Sequence, residues 1–134
     1  MAKLVKKKGP AAEFEMLPYA LRAAHAAADY KAIDLVAYDL RGLTLIADCF
    51  IVCSAASEPQ MKAITNGVRD ALRETGLRPR HVEGEPNSGW LVLDYGSLIF
   101  HVFREEARAF YDLDGLWGDA PHIALDLDDD HPTE

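Results

Sequence analysis

Cysteine is nearly absent: Cys49 and Cys53 are the only two in 134 residues. Four residues apart on an extended strand, their Cα atoms stand roughly 13 Å from each other, too far for a disulfide. The pair reads as two buried thiols sharing one strand face in a reducing compartment. Without further cysteines, a zinc centre of the cysteine-rich kind lacks ligands. Long apolar runs are missing too, since none approaches the ~20 residues that a bilayer span requires. The lysine-rich start, Met1 to Pro10, has neither the apolar stretch of a secretory signal nor the Arg and Ser richness of a transit peptide. The expected location is therefore cytoplasmic, with no membrane contact.

Positive charge is scarce in the body of the chain. The formal net charge is −8, with four lysines (Lys3, Lys6, Lys7, Lys8) at one end and Asp126, Asp128, Asp129, Asp130 and Glu134 at the other. Between Ala11 and Leu125 there remain ten basic and seventeen acidic residues. A broad phosphate-binding surface gains its affinity from clustered Lys and Arg, so an acidic domain of this kind is better matched to a basic protein partner. Gly-rich phosphate loops of the dinucleotide or Walker type do not occur, nor does a Gly-x-Ser-x-Gly elbow. The usual nucleotide-handling and hydrolase templates fail.

What the chain does have is a hairpin. Gly89 to Arg104 reads as two apolar strands about a Gly-containing turn, formed by Tyr95-Gly96 or Gly96-Ser97. With either turn the side chains sort into the same two faces. One is Leu91, Leu93, Tyr95, Leu98, Phe100 and Val102, nearly all hydrocarbon and the expected core side. The other mixes Trp90, Val92, Asp94, Ile99, His101 and Phe103, a composition suited to an active site or a docking patch.

Around the hairpin, Met16 to about Tyr30 predicts an alanine-rich helix with Leu17, Leu21, Ala24 and Ala28 on its stripe and His25 at the boundary. Asp34 to Leu40 predicts a strand ended by Arg41-Gly42. Asp48 to Ser54, apolar throughout its core, predicts a strand buried on both faces at the centre of the sheet. Ser57-Glu58-Pro59-Gln60 is a capping box with proline in the first turn. It opens a helix with Met61, Ile64, Val68 and Leu72 inward, Lys62, Arg69 and Arg73 in solvent, and Gly76 as its stop. Arg80 to Glu83 predicts an edge strand, Glu105 to Tyr111 a short helix, and Leu113, Leu116 and Trp117 a small apolar cluster. The domain plan is a basic flexible segment over 1–15, one domain over 16–123 and an acidic disordered tail over 124–134. The fold class is α/β (α+β), a mixed sheet of about five strands flanked by helices.

Candidate chemistry is thin. Two Asp-x-Asp pairs, Asp112 with Asp114 and Asp126 with Asp128, have the spacing that magnesium-dependent phosphoryl transfer uses. They fall in a turn segment and in the acidic tail, away from convergent ligands on rigid elements. Asp94 and His101 share a face as an acid–base dyad would, but the neighbouring hydroxyls, Ser88 and Ser97, are turn residues. Trp90 follows a polar loop and faces the mixed side, where an indole serves as an interface anchor or as core.

Taken together, Asp39-Leu40-Arg41-Gly42, Ile46-Ala47-Asp48-Cys49-Phe50-Ile51-Val52, Ser57 to Ile64, Val82-Glu83-Gly84, Gly89 to Gly96, His101-Val102-Phe103, Arg108-Ala109-Phe110-Tyr111 and Leu116 to Pro121 resemble the ribosomal silencing factor family, also called Iojap-like. The resemblance runs from about Leu17 to Pro121. It implies a nucleotidyltransferase-like fold in a translation regulator that is not an enzyme and carries no catalytic residue, metal or cofactor. The implied partner is the fourteenth-named protein of the large ribosomal subunit, bound at the face where the small subunit joins. Blocking that joining would lower translation under nutrient limitation. The implied docking residues are Trp90, Leu91 and Tyr95, with Asp94 and His101 as additions. Because Trp90 lies on one hairpin face and Leu91 and Tyr95 on the other, such a patch must wrap the end of the hairpin. Homodimers are implied for the family, and direct RNA contact is expected to be minor. This chain departs from the family pattern at Cys49 and at Cys53-Ser54-Ala55, outside the docking residues. The alternative is a magnesium-dependent nucleotidyltransferase-like enzyme, but Gly96-Ser97 joins two strands here and Asp112 to Asp114 follows a helix.

Overall fold

The computed structural model describes residues 15–127. In chain order the elements are α1 (Leu17–Asp29), β1 (Ile33–Asp39), β2 (Cys49–Ala55), α2 (Glu58–Arg73), β3 (His81–Glu85), β4 (Trp90–Asp94), β5 (Leu98–Arg104), α3 (Glu105–Tyr111) and α4 (Leu113–Leu116), with a 3-10 turn (Pro86–Ser88) before β4. The strands form one mixed sheet in the order β1-β2-β5-β4-β3, and only β2 and β5 run parallel. The parallel pair follows from the crossover helix α2 and the two strands after it, which return the chain to the start of β2. The expected class is observed. The middle strand, however, is β5, with β2 beside it. Both are buried on both faces, and β5 takes the centre because the hairpin places β4 on its other side.

The hairpin turn is Gly96-Ser97: the Tyr95 N–H donates to the Leu98 carbonyl (2.8 Å), and Gly96 adopts φ 91°. On one face Leu91, Leu93, Tyr95, Leu98, Phe100 and Val102 join Cys49, Ile51 and Cys53 of β2 beneath α1 and α2. Alanines make α1's contact surface, so it approaches closely; Ala20, Ala23, Ala24 and Ala27 are fully buried. Helix α2 begins where Ser57 Oγ accepts from the Gln60 N–H (3.2 Å). The Gln60 carboxamide closes no reciprocal box on Ser57. Its oxygen accepts from Ala56 N–H (2.7 Å), and its amide donates to the Tyr30 and Lys31 carbonyls at 3.1 and 3.0 Å, tying the end of α1 to the start of α2. Cys49 and Cys53 are both free and buried, and burial pushes the Cys53 thiol up to about 12.

The opposite face is covered on one side only. Leu113 and Trp117, with Ala107 of α3, pack over Phe50, Val52, Ile99 and Phe103, whereas Trp90 and Val92 stay half-buried. The outer edge of β1 is covered by the chain's own C-terminal stretch: Pro121 and Ile123 exchange backbone hydrogen bonds with Asp39 and Ala37 at 2.7 and 2.8 Å. The strap continues to Leu125, which packs on the core and whose carbonyl lies 3.0 Å from His25 Nε2. The first residues of the stretch assigned to an acidic tail, Ala124 and Leu125, are therefore held on the fold. Residues 1–14 and 128–134, with the lysine run and most of the acidic end, lie outside the described residues. At the other edge β3 is exposed at every position.

Candidate functional site

Hairpin register makes Trp90 opposite Phe103, Val92 opposite His101 and Asp94 opposite Ile99. Strand β3 extends the same face, since Glu85 pairs with Trp90, Glu83 with Val92 and His81 with Asp94. The uncovered half of the sheet thus presents an indole and a valine with a carboxylate edge.

Trp90 is held rather than loose. Its ring stacks on Phe103 (centroids 4.9 Å apart) and meets Tyr111 of α3 at 4.6 Å, and its Nε1–H donates to His101 Nδ1 (3.1 Å). That bond assigns the His101 proton to Nε2 when the ring is neutral. His101 is buried beside Phe50 (4.6 Å), and burial lowers its pKa to about 4, outweighing the attraction of Asp94. Beyond Trp90, exposed Phe110 and half-exposed Tyr111 border a shallow groove of about 300 Å³ with Gly89 and Arg104.

Of the five residues assigned from sequence, Trp90, Asp94 and His101 share this face. Leu91 and Tyr95 point to the other side and are 7% and 6% exposed, under α1 and α2. A single flat patch does not bring all five together. Asp94 turns its Oδ1 to the Gly96 N–H (2.7 Å), fixing the turn, and no hydrogen bond joins it to His101 among the described residues. The pairing of Glu83 and Glu85 with this face was not read from sequence. Alternation along β3 carries the signal, but only once its register against β4 is known.

The family model described as "Ribosomal silencing factor during starvation" matches residues 14–134. The chain belongs to the ribosomal silencing factor family. Ribosomal silencing factor RsfS of Bacillus subtilis is 38% identical over 105 residues, covering 78% of this chain and 89% of that protein. The chloroplastic protein Iojap of Arabidopsis thaliana is 33% identical over 126 residues, 91% of this chain and 52% of that longer protein. A Chromobacterium violaceum crystal structure superposes with a TM-score of 0.74 at 31% identity, over 77% of this chain and 86% of that one. A Bacillus halodurans structure gives 0.69 at 33% identity, over 83% and 98%.

In this member of the silencing factor family, the Asp112 and Asp114 pair is engaged in structure. Asp112 stands at φ 51° and caps α4, its Oδ1 accepting from the Gly115 N–H (3.0 Å). Asp114 accepts from Arg108 at both oxygens (2.8 and 3.1 Å) and from the Tyr38 hydroxyl (2.6 Å). The Arg108 hydrogen bonds hold the Asp114 carboxyl below the usual carboxylate range. Arg108 also donates to the Asp34 carbonyl and Ser54 Oγ at 2.7 and 3.0 Å. One guanidinium therefore pins α3 and α4 to β1 and β2.

Proposed function

We propose that this domain silences ribosomes in the cytoplasm by occupying the large subunit and keeping the small subunit from joining. Its docking surface is the uncovered half-sheet, and the partner is the basic fourteenth-named protein of the large subunit. The observation that carries this reading is Trp90: a half-buried indole, fixed by Phe103, Tyr111 and His101, beside a strip of carboxylates from Glu83, Glu85 and Asp94. A fixed aromatic anchor loses little freedom on binding, and a charged rim steers a basic partner. Leu91, Tyr95 and His101 act beneath this surface, setting the strand and ring positions from the core.

Sedimentation of purified subunits, with and without the protein, tests the blockade; undiminished joining at saturating protein refutes it. Trp90→Ala is expected to weaken binding to the large subunit by roughly 2 kcal/mol, the usual loss at a central interface tryptophan. Circular dichroism must show the variant folded. Collapse of the fold instead would assign Trp90 to the core. Self-association through the same half-sheet would compete with docking, which analytical ultracentrifugation of the free protein measures.

A further inference from the structure

The acidic body of the molecule contains one local reversal of sign. Four of the ten arginines and lysines between residues 11 and 125 fall within the stretch 69–80. All four line one cleft of about 240 Å³, between the last turns of α2 and the chain entering β3: Arg69, Arg73, Arg78 and Arg80, with His81 at its margin. Arg73 is neutralised by Asp70 (2.8 Å). Arg69, Arg78 and Arg80 have no carboxylate partner among the described residues. Elsewhere in the fold Arg22, Arg41, Arg104 and Arg108 are each paired with an acid. Acids outnumber bases in this domain, so leaving three guanidiniums unpaired in one concavity departs from its own pattern.

The cleft is also built. Arg80 is anchored at its backbone by the Asp94 carbonyl (2.7 Å), and its guanidinium lies over Gly96, where a side-chain carbon would come within 3.0 Å of Nη1. The Tyr95 hydroxyl, whose proton feels the positive charge of Arg69, is buried with no hydrogen-bond partner among the described residues. The arginines are exposed to solvent; like charges lining one concavity repel one another, and a bound anion relieves that repulsion. Planar guanidiniums match phosphate oxygens in particular.

We infer that Arg69, Arg78 and Arg80 form a phosphate-binding site that grips the RNA backbone of the large subunit beside the docked protein partner. This rests on the docking reading above. The lining favours backbone phosphate over a free nucleotide, because beside the arginines it is Leu77, Pro79 and Val82 with His81 as its one aromatic ring, more guanidinium than stacking surface. The position fits simultaneous engagement. The cleft opens at the Gly96 end of β4 on the α2 side of the sheet, and Trp90 lies on the other face about 13 Å along the strand, so the RNA strand it grips passes around the hairpin end from the docked protein.

The test compares the wild type with Arg78→Gln/Arg80→Gln and with Arg78→Lys/Arg80→Lys, each checked for an unchanged melting temperature. Binding is measured to intact large subunits across a salt series and to the isolated fourteenth-named protein. The glutamine pair should bind intact subunits roughly five- to ten-fold more weakly, with the salt slope of log K reduced by about 2, one per lost phosphate contact. Its binding to the isolated protein should be unchanged, and the lysine pair should keep the wild-type slope. Failure of the wild type to bind either target defeats the docking reading, whereas equal salt slopes for wild type and glutamine pair overturn the phosphate site alone. Titration of the free protein with inorganic pyrophosphate and with ADP, followed by Arg side-chain NMR, separates the sources. Tighter binding of ADP than of pyrophosphate would overturn the backbone assignment in favour of a nucleotide; weak, equal binding supports it.

Discussion

At the scale of single residues, His101 shows how the hairpin's mixed face is kept in order. A neutral imidazole with Nδ1 free to accept is what the Trp90 indole requires, and burial enforces that form by holding the pKa near 4. The sign for stability follows from linkage. Above the ordinary histidine value of 6.5 both folded and unfolded chains are neutral here and the contribution is complete. Between 6.5 and about 4 the unfolded chain takes up a proton that the folded one refuses, so stability falls with pH and levels off below 4. The wild type should therefore lose about 2 kcal/mol more than His101→Gln between pH 7 and pH 4.5. Urea midpoints at the two pH values measure this, and parallel losses would show that His101 titrates freely in the fold. Trp90 itself should keep its fixed geometry through that range and lose it only near and below pH 4, where folded His101 takes up its proton, with its fluorescence as the readout.

Among the elements, α3 and α4 are the weakly founded ones. They are seven and four residues long and bury no residue completely, so their place over β2 and β5 depends on the Arg108 to Asp114 pair and its links to Asp34, Ser54 and Tyr38. Arg108→Met should cost about 2 kcal/mol, less than a fully buried pair because Asp114 is about one-third exposed. It should also raise the Asp114 pKa toward normal and speed hydrogen exchange in α3 and α4 before the sheet is affected. Uniform exchange across the molecule would refute that order. None of this network was legible in the sequence, because its partners lie as far as 76 residues apart and no local period relates them. The hairpin faces were legible for the opposite reason: two-residue alternation survives either placement of the turn, so Leu93 and Phe100 sort from Val92 and His101 without knowing it. Helix α2 was legible from Ser57, Pro59 and its apolar stripe. The strap at Pro121 to Ile123 was not, since a stretch that pairs through backbone alone needs no pattern in its side chains. Trp90, Asp94 and His101 were grouped correctly by parity; Leu91 and Tyr95 entered by resemblance, and parity had already set them on the other face.

For the whole molecule, the proposed action is exclusion, and exclusion has a thermodynamic signature that distinguishes it from an altered but permitted subunit contact. If the domain and the small subunit compete for overlapping area on the large subunit, each must weaken the other without limit. The apparent Kd of the protein then rises in direct proportion to free small subunit, with no plateau. If both can bind together and merely disfavour one another, the effect saturates at their coupling constant, and by linkage it does so equally in both directions. A fluorescently tagged protein, titrated onto large subunits at increasing small-subunit concentration under associating magnesium, should give a straight line through the Kd measured without competitor. Trp90→Ala should give a line of the same form from a higher starting Kd, since it weakens one competitor without changing the geometry of overlap. A plateau, or co-sedimentation of the tagged protein with joined ribosomes, would mean that the half-sheet docks where the small subunit can still reach. The acidic strip would then be a tether and not a wedge.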